Sequence, residues 1–238
     1  MKTRRTQAGL SMIELMIGIL LASLIIAGVL YIFNGSRASS LLIEAESKML
    51  DEAQFAMENM NSVIRMTGYT MDPFAGIDSI VTNTGSPTVT ADVIQGLEGG
   101  SDAPDEIKVW YEGNEDGSVF DCHGDNVTVN TSVTPNEPEL RLNHYYLSDS
   151  GSLICAKDTG AIEPLINDVA DLQILYGIDT DSAADGSVNM YKHAGELNAD
   201  ERLRIVTVML SLTLEATIVG DTMKKTFTSE IYLRNRSS

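Results

Sequence analysis

Basic residues are scarce in this chain. Lysine and arginine total 16 against 34 aspartates and glutamates, which gives a formal net charge of −18 over 238 residues. Nucleic-acid phosphates are bound by clusters of basic side chains, and docking on an anionic lipid surface has the same requirement. The charge balance therefore argues against both partners for the polar part of the chain, and it is consistent with solubility outside the cell.

Recognisable catalytic motifs are also missing. The sequence has no GxSxG, HExxH, P-loop or paired-carboxylate motif. Its three histidines, His123, His144 and His193, are scattered over segments that we predict to be strands and turns, and none has an obvious nucleophile beside it. We therefore expect a protein that is not an enzyme.

Cysteine is limited to two residues, Cys122 in FDCHGDN and Cys155 in SLICAK. Behind a membrane-targeting N-terminus, an even pair favours a disulfide formed in an oxidising compartment. The alternative is a metal site made of Cys122, His123 and Cys155. Three ligands without a CxxC spacing form a weak zinc motif, so the sequence favours the disulfide.

One long apolar segment stands out near the N-terminus. Residues 1–9 carry three basic and no acidic side chains, and Glu14 is the one charged residue in the largely apolar run from Leu10 to Phe33. A helix of this length extends about 36 Å and spans a bilayer core, and the basic residues keep its start in the cytoplasm. A secretory signal peptide has a shorter apolar region that ends in a small-residue cleavage site. A plain signal anchor explains the length but leaves Glu14 unexplained.

The segment GLSMIEL, residues 9–15, resembles the processing site of type IV prepilins. The resemblance implies that prepilin peptidase cuts between Gly9 and Leu10, that Leu10 is then N-methylated, and that Glu14 is the glutamate at the fifth mature position. Leu10 replaces the more usual phenylalanine. A buried carboxylate needs a partner, and the new amine lies one helical turn from Glu14, on the same chain or a neighbour's. In the family this pairing helps to place an incoming subunit against the growing filament. A carboxylate that snorkels to the membrane surface is the alternative.

A helical pattern continues beyond Phe33. We predict one helix over about residues 10–67, with a weak point at 34–36 and Gly68 as C-cap. Its second half carries an amphipathic apolar stripe at spacings of three and four, and we interpret Met49, Met57 and Met60 mostly as core residues. The stripe consists of Leu42, Ala45, Met49, Ala53, Ala56, Met60 and Ile64.

The rest of the chain predicts strands. Residues 71–104 are rich in turn formers and predict an irregular connection, and EIKVWYE at 106–112 begins the strands. IVTVMLSLTLEAT predicts a central strand that pairs with KKTFTSEIYLRN across the VGDTM turn. The other candidates are Val127–Val133, Arg141–Leu147, Ser152–Ala156, Leu172–Ile178 and Val188–His193. The predicted fold class is α+β, a type IV pilin-like long N-terminal helix packed on an antiparallel β-sheet head.

An acidic segment, YGIDTDSAADGSVNMY, places Asp179, Asp181 and Asp185 before Gly186. Alternating acids that end in Asp-Gly resemble calcium loops. The spacing departs from the EF-hand pattern, and no glutamate closes the loop at the twelfth position. EGNEDGS at 112–118 is a similar acidic turn. A solvated hairpin loop is the favoured interpretation, calcium is the minority hypothesis, and no other cofactor is expected.

Three features of the chain resemble PilW-type minor pilins. They are the end of the helix with Arg65, Gly68 and Tyr69, the cysteine pair in DC…LIC, and the strand that contains Val169, Leu172, Gln173, Tyr176, Gly177 and Asp179. The resemblance implies a low-abundance subunit that joins other minor pilins in the inner membrane and primes pilus assembly, ending near the tip of a filament of major pilin. The division that follows is a leader at 1–9, a transmembrane half-helix at 10–33, an amphipathic half at 34–68 and a head at 69–238.

Partners and location follow from the same resemblance. The expected partners are prepilin peptidase, other minor pilins, the major pilin and the inner membrane, with no nucleic acid. The N-terminus is expected to be cytoplasmic and the head periplasmic, then extracellular on the pilus. Two alternatives stay open: a pseudopilin of type II secretion, and a tip adhesin whose acidic loops and 71–104 segment form the recognition surface.

Overall fold

The computed structural model describes most of the chain in two compact units. The described residues are 11–71, 93–100, 103–130, 137–157, 160–181, 185–218 and 221–235. The units are Met1–Ser47 and Lys48–Ser238. Helix α1, Met12–Arg65, is 54 residues long and supplies residues to both units.

The first part of α1 follows the predicted helix closely. It begins at Met12, and the helix continues without interruption through Asn34, Gly35 and Ser36. A glycine inside a helix costs only about 1 kcal/mol relative to alanine, which a helix of this length tolerates. The predicted weak point at 34–36 therefore does not interrupt the helix.

The second part of α1 supplies the helical side of the core. Its buried side chains recur at the predicted spacing, and Met57 packs against them while half-buried. Leu42 is 46% exposed and belongs to the first unit, so the buried stripe begins later than predicted. The buried residues of α1 are Met49, Ala53, Ala56, Met60, Val63 and Ile64.

The helix ends where the sequence provides a glycine. Arg65 is its last residue, two before the predicted end, and Gly68 has a φ of +73°. Glycine adopts this left-handed conformation at no steric cost. The Gly68 N–H then donates to the Trp110 carbonyl at 2.9 Å, so the cap also joins the helix to a strand.

The strands form two larger antiparallel sheets and a two-stranded ribbon. The five-stranded sheet has the order β1-β2-β5-β6-β7, the four-stranded sheet has the order β11-β10-β8-β9, and β3 pairs with β4. The bounds are β1 Ile94–Leu97, β2 Glu106–Glu112, β3 Val129–Asn130, β4 Glu137–Pro138, β5 Leu140–Leu147, β6 Leu153–Lys157, β7 Ile162–Ile166, β8 Val169–Ile178, β9 Met190–Lys192, β10 Ile205–Ile218 and β11 Asp221–Tyr232. A 3₁₀ turn, Ala194–Glu196, and a short helix α2, Ala199–Arg202, precede β10.

The predicted terminal hairpin is confirmed. β10 pairs with β11 from Thr207–Tyr232 to Ile218–Asp221 and pairs with β8 along its other edge, so it is an inner strand as predicted. Val208, Leu210, Leu212 and Leu214 alternate on its buried face. An alternating β-branched and apolar pattern of this kind specifies both the strand and its face.

Three strand predictions need correction. β1 lies inside the segment predicted to be irregular, of which residues 72–92 and 101–102 are outside the described part. The prediction for Val127–Val133 was too long in its described portion, where only Val129–Asn130 is strand. β7 was missed because Pro164 interrupts its pattern. β7 is an edge strand, and an edge tolerates the missing N–H of proline.

Asp105 ties the two larger sheets together. Its carboxylate accepts from the Ile174 N–H at 2.8 Å and from the Gly99 N–H at 3.1 Å, and its own N–H donates to the Leu172 carbonyl at 2.7 Å. Asp105 is 3% exposed, so these bonds satisfy a buried charge. One hydrophobic cluster joins residues of α1 and of both sheets. The single sheet expected from the sequence is thus two.

Candidate functional site

The N-terminal part of α1 exposes a continuous apolar surface. Leu20, Ile25 and Phe33 are 60%, 67% and 59% exposed, and the other large apolar side chains of this part are exposed to a similar degree. Among the described residues, α1 is the one helix long and apolar enough to span a membrane, with a mean hydropathy of 2.7 in its most apolar window. Side chains of this kind require lipid or protein around them.

Glu14 lies in the first turn of α1. The helix starts just after Ser11, whose carbonyl accepts from the N–H groups of Glu14 at 3.0 Å and Leu15 at 3.2 Å. The partial positive charge of a helix N-terminus favours a carboxylate at this place. No basic residue lies between Ser11 and Asn34 in the sequence. Gly9 and Leu10 lie outside the described residues, so cleavage and methylation stay predictions.

A disulfide joins the loop after β2 to strand β6. Cys122 and Cys155 are bonded with Cα atoms 6.4 Å apart, and both side chains are buried. The Cys122 N–H donates to Asn143 Oδ1 at 2.9 Å, and His123 Nε2 lies 3.0 Å from the Cys155 carbonyl. The disulfide occupies both sulfurs, so the alternative zinc site lacks its thiolates.

Asn59 connects helix α1 to this disulfide. Its Nδ2 donates to the Cys122 carbonyl at 2.9 Å, and its Oδ1 accepts from the Tyr145 hydroxyl at 2.8 Å. Burial is the main reason why the pKa of Tyr145 is raised well above its usual value. The phenol is therefore a neutral donor at any physiological pH, and Asn59 satisfies it.

A buried ionic cluster surrounds the disulfide. The side chains of Asp121, Lys157 and Arg141 are 1%, 6% and 7% exposed. Lys157 Nζ lies 3.0 Å from Asp121 Oδ2 and 2.6 Å from Asp125 Oδ2. Arg141 Nη2 lies 2.7 Å from Glu139 Oε1. Charges this deeply buried persist only when they are paired.

The pairing favours the charged forms of Lys157 and Asp125. Burial acts to lower the pKa of Lys157, but its hydrogen bonds to Asp125 and Asp121 outweigh that effect and raise it. The hydrogen bond from Lys157 lowers the pKa of Asp125. The sequence interpretation missed this cluster, although Asp121 directly precedes one cysteine and Lys157 follows the other by two positions.

The acidic loop between β8 and β9 brings three carboxylates together. Asp179, Asp181 and Asp185 each offer an oxygen, and these oxygens lie within 4.8 Å of one another. Asp179 is 5% exposed and directly follows β8. Its Oδ2 accepts from the Gly186 N–H at 2.8 Å. Its Oδ1 is buried and accepts no hydrogen bond from the described residues.

Side-chain hydrogen bonds shape the rest of this loop. Asn189 Oδ1 accepts from the N–H groups of Thr180 at 2.6 Å and Asp181 at 3.1 Å. Asp185 Oδ1 accepts from the N–H and hydroxyl of Ser187, and these bonds lower the pKa of Asp185. These bonds fix the backbone at Thr180 and Asp181 and the carboxylate of Asp185.

The second acidic turn, residues 112–118, does not gather three acids as the loop after β8 does. Asp116 Oδ1 accepts from the Ser118 N–H at 2.9 Å, and this serine lowers the pKa of Asp116. Within the described residues, no third metal-ligating side chain joins Asp116 and Glu115.

His144 Nε2 lies 2.7 Å from Glu106 Oε2. Burial lowers the pKa of His144, and Glu106 partly offsets that effect.

The β-rich part of the chain, from just before β3 to the end of β11, matches a known family. Residues 127–235 fit the family model described as Type IV Pilus-assembly protein W. Over this region the chain is similar to the PilW family. None of the curated proteins or solved structures matches the chain. The chain is thus related to type IV pilus assembly, as the sequence resemblance implied.

The PilW region holds the acidic loop, Cys155 and all of the four-stranded sheet, while α1 and Cys122 precede it. Of the residues that carried the PilW resemblance, Val169, Leu172 and Tyr176 are buried in β8. A Cβ at Gly177 would lie 2.1 Å from Thr207 Oγ1 on β10, so a side chain there would force Thr207 to shift. These residues are explained by packing, and Asp179 is the one that reaches the acidic loop.

Proposed function

We propose that this chain is a minor pilin of a type IV pilus that takes part in priming pilus assembly near the tip. The supporting observation is an exposed apolar helix, with one acid in its first turn, that leads into a PilW-family head. Lipid would cover the apolar side chains in the inner membrane, and the helices of neighbouring subunits would cover them in the filament.

Processing supplies the partner for Glu14 in this proposal. Prepilin peptidase cuts between Gly9 and Leu10, and the N-methylated amine of Leu10 pairs with the carboxylate of Glu14, on its own chain or on a neighbour's. Leaving one member of a buried ion pair alone costs about 3–5 kcal/mol. Subunit arrangements that bring the membrane-embedded amine next to a Glu14 carboxylate are therefore favoured.

The partners follow from this role. Besides the peptidase and the inner membrane, they are other minor pilins and the major pilin, reached through helix packing in the membrane and then in the filament. The PilW-family match favours a type IV pilus over the type II secretion alternative, because the family is described as a pilus-assembly family.

One experiment tests the processing and the role of Glu14 together. The full chain is expressed in a piliated strain that lacks its own copy, with and without prepilin peptidase, and the mature N-terminus is sequenced. Glu14→Ala and Glu14→Gln are compared with Glu44→Ala, an exposed acid on the same helix. We expect all variants to insert and to start at Leu10. Pilus number should fall at least about tenfold for both Glu14 variants and stay normal for Glu44→Ala.

Two results would contradict the proposal. A mature N-terminus other than Leu10 would remove the processing step on which the Glu14 pairing depends. Normal piliation with Glu14→Gln would show that assembly does not need this charge. If the Glu14 variants instead impaired secretion through a type II system and left pili intact, the pseudopilin alternative would replace the minor pilin.

A further inference from the structure

The acidic loop after β8 has the chemistry of a cation site. Asp179, Asp181 and Asp185 bring one oxygen each to within 4.8 Å of the others. Three carboxylates at this distance repel one another, and a bound cation relieves that repulsion. Arg204 Nη1 donates to the backbone carbonyl of Asp181 at 3.4 Å.

Asp179 provides the second and independent observation. It is 5% exposed, and its Oδ1 is a buried acceptor without a hydrogen-bond donor among the described residues. A buried carboxylate oxygen left without a partner is costly, and native structures almost always satisfy such atoms. A metal ion bound by the three acids would satisfy it.

The donor set identifies the class of ion. All three groups are carboxylates, which suit hard cations, whereas zinc and copper prefer nitrogen and sulfur ligands. Mg²⁺ requires near-ideal octahedral geometry and dehydrates reluctantly, while Ca²⁺ accepts six to eight oxygens in an adaptable arrangement. Separate hydrogen bonds hold the carboxylates of Asp179 and Asp185. Asp185 is exposed, so water can complete a Ca²⁺ shell.

We propose that Asp179, Asp181 and Asp185 bind one Ca²⁺ ion. The site is independent of the apolar helix and of the proposed role in pilus assembly. Extracellular calcium modules bind with dissociation constants of about 10⁻⁴–10⁻³ M, and we expect this loop to fall in that range. Bound Ca²⁺ would hold the three carboxylates together just after β8.

Calorimetry on the full chain tests the site directly. The protein is purified in detergent micelles, stripped with a chelator and titrated with CaCl₂, and separately with MgCl₂. We expect one saturable Ca²⁺ site and Mg²⁺ binding at least about tenfold weaker. Asp181→Asn and Asp185→Asn should each weaken Ca²⁺ binding at least about tenfold. Asp116→Asn is the matched control, since it removes an acid from the other acidic turn, and it should bind Ca²⁺ as the parent chain does.

A thermal test guards against variants that merely misfold. Without calcium, Asp185→Asn should melt at the same temperature as the parent chain or above it, because one repulsive charge is gone. With CaCl₂ at about 10 mM the order should reverse, because the parent chain binds the ion more tightly and therefore gains more stability from it.

Three results would overturn the proposal. In the first, the parent chain shows no saturable Ca²⁺ binding up to about 10 mM. In the second, Asp116→Asn and Asp185→Asn lose Ca²⁺ binding equally. In the third, the parent chain binds Mg²⁺ and Ca²⁺ with equal affinity. The last two would show diffuse attraction of cations to a chain of net charge −18. An unchanged melting temperature of the parent chain with CaCl₂ would also reject the site.

Discussion

Individual buried charges distinguish this head from an ordinary apolar core. Asp121 contacts Lys157 at 3.0 Å, and its other carboxylate oxygen accepts the N–H groups of His123 and Asp125, both at 3.0 Å. One acid thus orients the loop that carries Cys122 and neutralises a lysine near Cys155. The cluster thus holds the backbone beside the disulfide.

The first prediction concerns Asp121. Replacing it with asparagine keeps its shape but removes the charge that faces Lys157 and Arg141. We expect the free energy of unfolding, measured by urea denaturation of the full chain in detergent, to fall by about 2–3 kcal/mol. The loss should lie below that of a fully isolated pair, because Lys157 keeps Asp125 and Arg141 keeps Glu139.

Asp125→Asn is the control for this prediction. Asp125 contacts the same ammonium group at 2.6 Å, but its side chain is 72% exposed. Water screens an exposed pair, so the midpoint of denaturation should stay close to that of the parent chain. If Asp121→Asn and Asp125→Asn lowered the free energy of unfolding by the same small amount, the explanation by burial of Asp121 would be wrong.

At the scale of elements, α1 serves two environments with one continuous helix. Its first part exposes apolar side chains all round, whereas its part after Lys48 buries one stripe in the core. At the junction of β8 and β10, Gly177 faces Thr207 Oγ1, and Tyr191 and Val188 also come close. The helix fixes the N-terminal side of the head, and this junction fixes the four-stranded sheet.

The second prediction tests the junction between β8 and β10. Gly177→Ala introduces a methyl group that would lie 2.1 Å from Thr207 Oγ1. Overpacking of this kind costs about 1–3 kcal/mol. We expect the urea midpoint of the full chain to fall accordingly, and Thr207→Ala to restore more than half of the loss when the two changes are combined.

The combined variant decides between two causes. Recovery in Gly177→Ala with Thr207→Ala would place the strain at the cross-strand contact. Additive losses from the two substitutions would instead mean that the conformational freedom of Gly177 matters more than the space around it.

For the whole molecule, a covalent bond and an acidic surface set the conditions in which the head is stable. The disulfide closes a loop of sequence separation 33 that contains β3, β4 and β5. Restricting the unfolded chain in this way contributes about 3–4 kcal/mol in the loop-entropy model. The net charge of −18 favours solubility.

The third prediction concerns this covalent bond. Replacing both Cys122 and Cys155 with serine should lower the free energy of unfolding by about 2–5 kcal/mol, and adding reductant to the parent chain should lower its melting temperature in the same direction. Reductant should leave the double variant unchanged, which separates loss of the bond from other effects of reducing conditions. A double variant as stable as the oxidised parent would contradict a stabilising role.

The local sequence determined the elements that depend on neighbouring residues. Apolar run length specified the membrane-capable part of α1, three- and four-residue spacing specified its buried stripe from Met49 onward, and alternation specified β2 and the β10–β11 hairpin. These patterns are sufficient because helix and strand faces repeat with fixed periods. The family resemblance of the head also followed from short stretches of sequence, and the match over residues 127–235 bears it out.

Tertiary structure alone decided the features that join distant segments. The division into two sheets, the edge position that accommodates Pro164 in β7, and the meeting of Asp121 with Lys157 and Arg141 all depend on residues far apart in sequence. No local period encodes such contacts, since long-range pairing is set by how whole faces pack. The acidic loop lies between these cases. Its sequence suggested either a solvated turn or a cation site, and burial of Asp179 against the end of β8 is what favours the cation.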